Sequence, residues 1–240
     1  MNKKVLITGA SKGIGKSIAK LLCDNGYEVY ICARTSSTLE KTANEIHAAD
    51  YFICDLSNEA ECTELFKKIG KIDILINNAG EYVWSPIEKT NLDDINKLID
   101  LNIKAPYILT SLAVTEMKRQ KWGRIINIGS ISGVIGEANA SLYSATKSAF
   151  SGLTKALGLE LAEYGITVNT INPGWVDTEL SDNAVKDNAD FSYEEIKNTI
   201  PQKRFIKPEE IAGLVNYLIS DEAKGLTAQN ISLCAGLSAG

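Results

Sequence analysis

Residues 124–147 read Arg124-Ile-Ile-Asn-Ile-Gly-Ser130-Ile-Ser-Gly-Val-Ile-Gly-Glu-Ala-Asn-Ala-Ser-Leu-Tyr143-Ser-Ala-Thr-Lys147. The run from Arg124 to Ile128 is mostly apolar, as in a strand buried on both faces of a parallel sheet. Ser130 follows it, and a helix is expected from Leu142 to Tyr164. Tyr143 and Lys147 are four apart, so on that helix they share one face, one turn from each other. A hydroxyl at a strand's carboxyl end and a Tyr/Lys pair on the next helix meet at one cleft. That cleft is where open α/β sheets bind ligands.

The residue types then suggest a chemistry. A free phenol has a pKa of about 10, too high to release its proton readily near neutrality. An ammonium held close favours the phenolate and lowers that value. Tyr143 can then pass a proton to or from an oxygen, and Ser130 can donate a hydrogen bond that places this oxygen. The combination suits the interconversion of a carbonyl and an alcohol while a hydride moves on the carbon. Hydride transfer needs a nicotinamide or a flavin, so the rest of the chain has to supply a dinucleotide site. A surface Tyr and Lys on an ordinary helix is the plain alternative, and the companion motifs decide between the two.

At the amino end, the strand Lys3 to Thr8 runs into Gly9-Ala-Ser-Lys-Gly13-Ile-Gly15 and a helix. The spacing GxxxGxG is not the common GxGxxG fingerprint, but the physics is similar. Glycines allow a tight turn and close approach of the backbone to a pyrophosphate at a helix N-terminus. The second strand, Glu28 to Ala33, ends without the acid that would take the adenosine ribose hydroxyls of NAD. Arg34 stands there instead, and a guanidinium pairs well with a 2′-phosphate. Lys12, inside the glycine turn, is a second cation for the same phosphate, so NADP is the expected cofactor.

Asp55 closes a third strand, Tyr51 to Cys54. It reads as a helix N-cap, as a partner for the adenine edge, or as both. Asn77-Asn-Ala-Gly80 ends a fourth strand, Asp73 to Ile76. These residues either line the adenine and ribose side of the cleft or make a turn. A helical pattern from Leu92 to Lys118 contains Pro106. Proline has no N–H for the carbonyl four residues back, so a kink there frees the main-chain oxygen of Asn102 for another partner, such as water. Strand Ile166 to Ile171 leads into Pro173-Gly-Trp-Val-Asp-Thr178. From Ser181 to Thr199 no periodicity is clear, and the stretch around 179–200 is expected to be a mobile cover over a pocket. A last helix, Pro208 to Ser220, and a last strand, Asn230 to Cys234, complete an alternation of strands and helices. Such alternation implies parallel pairing with right-handed crossovers.

The 240 residues suit one α/β domain. Net charge −5 and a pI near 5.1 argue against a general nucleic-acid binder. No apolar run has membrane-spanning length, and the first strand begins at once, leaving no room for a signal peptide. The five cysteines have no paired spacing, which fits reduced thiols in a cytoplasm rather than a zinc site or disulfides. His47 is the only histidine and lies in a polar helix end, so multi-histidine metal sites are excluded. Proton transfer has to rest on Tyr, Lys, Asp or Glu.

Thr8-Gly-Ala-Ser-Lys-Gly-Ile-Gly15, Cys54-Asp-Leu56, Asn77-Asn-Ala-Gly80, Asn102, Ser130, Tyr143-Ser-Ala-Thr-Lys147 and Asn172-Pro-Gly174 occur in this order along nearly the whole chain. With them the chain resembles the short-chain dehydrogenases/reductases, and within these the 3-oxoacyl-(acyl-carrier-protein) reductase group. Two departures lie near the end, where Thr227-Ala-Gln229 replaces Thr-Gly-Gln and Cys234-Ala-Gly236 replaces an Asp-Gly-Gly.

The resemblance implies a Rossmann-like, doubly wound parallel sheet of about seven strands with helices on both faces, and a homotetramer. It implies a catalytic tetrad of Asn102, Ser130, Tyr143 and Lys147, with a relay water on the Asn102 carbonyl. It implies NADP(H) contacts from Gly9, Ser11, Lys12, Gly13, Ile14, Gly15, Arg34, Asp55, Leu56, Asn78, Ala79 and Gly80. Further contacts are implied from Tyr143, Lys147, Pro173, Gly174, Val176 and Thr178, the last toward the nicotinamide carboxamide.

The expected activity is reduction of a carbonyl, of a 3-oxoacyl thioester first and of a free ketone second. A non-catalytic dinucleotide-binding regulator is the rival from another class, and the filled tetrad speaks against it. The pocket is expected to be lined by Ile131, Ile135, Trp84, Trp175 and the cover. That cover is acidic, with Glu179, Asp182, Asp187, Asp190, Glu194 and Glu195 against Lys186. An acidic carrier protein would therefore have to dock elsewhere, on Lys118, Arg119, Lys121 and Arg124 or on Lys203, Arg204 and Lys207.

Overall fold

The computed structural model describes residues 2–181 and 192–239. Seven strands form one sheet in the order β3-β2-β1-β4-β5-β6-β7, every neighbouring pair parallel. They are β1 Lys4–Thr8, β2 Glu28–Ala33, β3 Asp50–Ile53, β4 Ile74–Asn77, β5 Gly123–Ile128, β6 Ile166–Pro173 and β7 Gln229–Leu233. Chain order reverses between β1 and β4, and this switch point opens a crevice at the carboxyl ends of the strands. The central strands β4, β5 and β6 are buried along their whole length, which is why they read as continuous apolar runs.

The helices are α1 Gly13–Asp24, α2 Ser36–Ile46, α3 Glu59–Ile69, α4 Leu92–Ile99, α5 Ala105–Gln120, α6 Ser132–Ile135, α7 Ser141–Leu161, α8 Tyr193–Thr199 and α9 Pro208–Ile219. Two apolar cores fill the spaces on either side of the sheet. One packs α1 and α9 against β1, β2 and β6; the other packs α3 and α5 against β4 and β5.

Four local expectations change. The interruption between α4 and α5 is a π-helical turn over Asp100–Lys104, in which the Ala105 N–H donates to the Asp100 carbonyl five residues back. Pro106 stands in the first turn of α5, where its missing N–H is tolerated. The N-cap of α3 is Asn58, whose side chain accepts from the Ala60 N–H, and not Asp55. Part of the supposedly irregular cover is the helix α8. Ser192 and Glu195 close a capping box at its start, a signature visible in the sequence as Ser-Tyr-Glu-Glu. Residues 182–191 of the expected cover lie outside the described residues. Finally, Arg124 is 2% exposed inside β5, donates to the Gly123 and Gly165 carbonyls and stacks on Trp122. It forms no part of a docking face.

A polar string crosses the core beneath the crevice. Asn77 Nδ2 donates to Asn127 Oδ1 and to Thr110 Oγ1, Asn127 Nδ2 donates to Thr154 Oγ1, and Thr154 bonds Thr170 at 2.6 Å. It ties α5 and α7 to the ends of β4, β5 and β6. The short helix α6 then lies directly on α7, because a Cβ on Gly133 would stand 2.6 Å from the Lys147 carbonyl carbon. Gly133→Ala should force the two helices apart and cost about 1–3 kcal/mol of stability by chemical denaturation.

Candidate active site

The glycine turn is shaped by packing as much as by any ligand. Asn78 Nδ2 donates to the carbonyls of Thr8 and Gly9, and the N–H groups of Asn78 and Ala79 donate to Thr8 Oγ1. Added Cβ atoms on Gly9 and Gly15 would stand 2.8 Å from Ala79 Cα and 2.6 Å from Asn78 Nδ2. Those two glycines let the β1 and β4 ends touch. Gly13 differs: its φ is +56°, and an added Cβ would meet nothing closer than Thr178 Cγ2 at 3.5 Å. No side chain caps the first turn of α1, so its N–H groups are available to an anion.

A cleft of about 350 Å³ runs along this edge. Of the residues expected at a cofactor, Gly9, Ser11, Lys12, Gly13, Ile14, Arg34, Leu56, Asn78, Ala79, Gly80, Tyr143, Lys147 and Thr178 line it. Pro173, Gly174 and Val176 line the adjoining cavity. Gly15 lies behind the turn. The Asp55 carboxylate is engaged by the Ser57 N–H and hydroxyl, while its neighbours Cys54 and Leu56 face the cleft.

Both expected phosphate cations already rest on carboxylates. Lys12 Nζ is 2.8 Å from Glu179, and Arg34 is 3.6 Å from Glu81. Glu81, which also holds Lys97 at 2.9 Å, was not foreseen. Its position right after the Asn-Asn-Ala-Gly motif was the available signal.

At the end of the cleft expected to be catalytic, Lys147 is 6% exposed and its Nζ donates to the Ile128 carbonyl at 2.9 Å. Burial pulls its pKa down to about 8. The rings of Tyr143 and Phe150 lie 5.8 and 5.4 Å from the same nitrogen. Asn102 is fully buried and spends its side chain on architecture. Its Oδ1 accepts the Glu81 N–H at 2.9 Å, and its Nδ2 donates to the Glu81 carbonyl and to Thr146 Oγ1. Only its main chain is left for chemistry.

Tyr143 departs from the expectation of a lowered pKa. Burial pushes its phenol up to about 12, the neighbouring Ser130 hydroxyl favours ionisation, and the Glu137 charge opposes it. A lysine held on the Ile128 carbonyl is not enough to reverse the cost of burying a phenolate.

Beside Tyr143 a second cavity of about 420 Å³ opens. Its lining includes the expected Trp84, Ile131, Ile135, Trp175 and Leu180, and from α8 it includes Ile196 and Thr199. Ile200 is instead part of the core. Among the lining residues that escaped sequence reading are Tyr82, which packs edge-on to Tyr143 at 4.9 Å, Glu137 and Leu237. They sit in loops whose approach to the cavity is fixed only by the folded sheet.

Two adjoining cavities at the switch point of a doubly wound sheet, with a Ser/Tyr/Lys group between them, define a dinucleotide-dependent oxidoreductase architecture. Residues 3–189 match the family model described as short chain dehydrogenase. The chain is 37% identical to the 3-oxoacyl-[acyl-carrier-protein] reductase FabG of Rickettsia felis, over 98% of this chain and 96% of that one. A variant of the actinorhodin polyketide ketoreductase solved with NADPH superposes with a TM-score of 0.93 at 33% identity, over 99% of this chain and 97% of the other. YwfH, an NADPH dependent reductase involved in bacilysin biosynthesis, superposes with a TM-score of 0.93 at 30% identity, over 99% and 98% of the two chains. The chain belongs to the short-chain dehydrogenase family and is an oxidoreductase.

The buried lysine makes a prediction about stability. Its pKa falls from 10.5 to about 8 on folding, so between those values the unfolded chain holds a proton that the folded chain has released. Stability from this group therefore rises with pH over that window. Lys147→Met should lack the rise. Relative to wild type, its unfolding free energy should decline by up to about 3 kcal/mol from pH 8 to pH 10.5 in parallel urea titrations. Buried thiols titrate alike in both proteins and cancel from the comparison.

Proposed function

We propose that the protein is an NADPH-dependent carbonyl reductase acting on a 3-oxoacyl thioester or a comparably apolar ketone. The observation that carries the reading is the placement of Tyr143, which lines both cavities and so stands between nucleotide and substrate. The cleft fits a dinucleotide on three counts: the open cradle at Gly13, the uncapped start of α1, and two lining cations, Lys12 in the glycine turn and Arg34 after the second strand, where no acid stands. Arg34 and Lys12 would hold the 2′-phosphate, the first turn of α1 the pyrophosphate, and Lys147 the nicotinamide ribose. When bound, the nicotinamide supplies the hydride.

The side chains do the remaining work. Ser130 is held by its neighbours, since the N–H groups of Gly129 and Ile131 donate to the Ile171 and Pro173 carbonyls of β6. From there its hydroxyl orients the substrate oxygen. Tyr143 gives that oxygen a proton, and a phenol near pKa 12 in the free site stays loaded for the purpose. Lys147, turning from Ile128 toward the phenol, would stabilise the phenolate that the transfer leaves. The Asn102 main chain serves the relay that reloads it. Trp175 and, from α8, Ile196 and Thr199 line the second cavity and help to keep water from it.

The cavity is apolar enough for an acyl chain or a ring, with Ile135 and Leu180 each about half exposed in its lining. A carrier protein would dock near Lys203 and Lys207. They flank Phe205, which stacks on the cavity residue Trp175, whereas Lys118, Arg119 and Lys121 lie at the amino edge of β5, the far end of the sheet. A cytoplasmic location fits the five free cysteines. No described helix is long and apolar enough to cross a membrane. A homotetramer joined through the helices after β4 and through α7 would cover Tyr107 and Leu159, which are 60% and 80% exposed.

Tyr143→Phe should lower kcat by roughly 10²–10⁴-fold and leave NADPH binding, followed by fluorescence, nearly unchanged. A variant retaining more than about a tenth of the wild-type rate would remove the phenol from its role.

The carrier is tested by comparing kcat/KM for one 3-oxoacyl group on acyl carrier protein and on a small thiol across ionic strength. A carrier advantage that fades with salt is expected. Equal values, insensitive to salt, would leave only free ketones and thioesters as substrates.

A further inference from the structure

Among the described residues the substrate cavity carries one carboxylate, that of Glu137 on the turn between α6 and α7. Both its oxygens are engaged: Tyr82 OH donates to Oε1 at 2.7 Å, and Ser132 Oγ donates to Oε2 at 2.6 Å. A carboxylate can only accept, so the Ser132 proton is committed to Glu137. Ser132 Oγ is then left as an acceptor, and Ser130 Oγ donates to it at 3.2 Å. Ser130 Oγ in turn accepts the Ser132 N–H at 3.1 Å. The hydroxyls therefore run one way, from Ser130 through Ser132 to Glu137, beside the Tyr143 phenol.

Two effects follow, and both oppose a phenolate. The Ser130 proton, the nearest donor for a phenolate oxygen, is drawn toward Ser132. A full negative charge also stands at the end of the row. Among the described residues the titratable and charged groups facing the phenol are Lys147 from its own helix, Tyr82 from the loop after β4, and Glu137 from the turn after α6. Lys147 favours ionisation; Glu137 is the charge that resists it. Tyr82 reinforces the arrangement, since its ring packs on Tyr143 while its hydroxyl fixes Glu137.

We infer that Glu137 is a positioning residue for the reduction: acting through Ser132 and Ser130, it keeps the proton on Tyr143 and so sets how far into alkaline pH reduction persists. The inference rests on Tyr143 as the proton donor. It adds a residue that touches neither nucleotide nor carbonyl but decides which way the hydroxyls at the carbonyl point.

The test is the pH profile of kcat/KM for reduction of one ketone at saturating NADPH, from about pH 6 to about pH 11. Wild type, Glu137→Gln and Ser132→Ala are compared, with folding checked by circular dichroism. Reduction needs the protonated phenol, so the rate falls as pH approaches its pKa, and the fall is read as the pH at which kcat/KM has lost about a tenth of its plateau, roughly one unit below that pKa. In Glu137→Gln, which keeps shape and loses charge, that fall should move to lower pH by roughly one unit. In Ser132→Ala, which keeps the charge and breaks the row, it should move the same way by less. Each profile is normalised to its own acid-side plateau, where all three proteins hold the proton, so that only the position of the fall is compared. Superimposable falls, or a move to higher pH, in a folded and active Glu137→Gln protein overturn the inference while leaving the carbonyl-reductase reading intact. Should Glu137→Gln not fold, an unmoved fall in Ser132→Ala overturns it equally. A Tyr143→Phe protein that turns over normally would instead remove the reading beneath both.

Discussion

A lysine amine taken out of water at the end of β5 is the constraint on which the site depends. Desolvating an ammonium is costly, and here it lowers the pKa of Lys147 to about 8. The position is tolerable because Ile128, the last residue of β5, turns its carbonyl to the nitrogen, and because two aromatic faces lie beside it. Everything nearby is cut to fit that nitrogen. Gly80 has no side chain where a Cβ would stand 3.2 Å from Nζ and 3.3 Å from Asn102 Oδ1. Asn102 clamps the backbone of Glu81 with both ends of its amide, so the loop after β4 cannot move off. Gly133 lets α6 rest on the Lys147 backbone, which brings the Ser130 loop against the same helix turn.

Below this point the polar string from Asn77 to Thr170 explains how helices and strands find one alignment. Apolar side chains between α5, α7 and the sheet would tolerate small slides. Hydrogen bonds among Asn77, Asn127, Thr110, Thr154 and Thr170 do not, because a slide would leave a buried donor unpaired at about 1–3 kcal/mol. The same residues are neutral, so they specify the alignment without the desolvation cost of charges. Lys147 and Tyr143 lie on α7 about two and about three turns before Thr154, and so inherit their position from it.

How much of this was legible in the sequence differs by element. The parallel sheet followed from the apolar runs at Leu6, Ile74 and Ile125 and from their alternation with helical patterns, because burial on both faces leaves a mark in every residue of a strand. Ser130, Tyr143 and Lys147 were legible because their spacing is local: one strand end and one helix face carry all three. Asn102 was legible by position but not by role, since its amide bonds Glu81 and Thr146, residues 21 and 44 away. The π turn at Asp100–Lys104 leaves no compositional trace beyond Pro106. Helix α8 announced itself by Ser192 and Glu195, but the acids around it hid the period. Glu81 and Glu137 read as ordinary loop acids. Their meaning comes from Arg34, Lys97, Tyr82 and Ser132, which only the folded chain brings to them.

The carboxylate at Glu81 also shows how a cleft for a highly charged ligand can stay stable without it. Arg34 and Lys12 would repel other cations and lose stability if left facing an empty groove. Glu81 and Glu179 neutralise them through contacts at 3.6 and 2.8 Å that are exposed enough to exchange. A phosphate offers a guanidinium shorter, charge-assisted, bidentate bonds, so Arg34 can leave Glu81 for it. Glu81 is only 24% exposed by side chain and would be costly to strand, but Lys97 stays on it at 2.9 Å. One carboxylate shared by two cations would let Arg34 turn to the proposed 2′-phosphate while Lys97 holds the charge balance of the cleft.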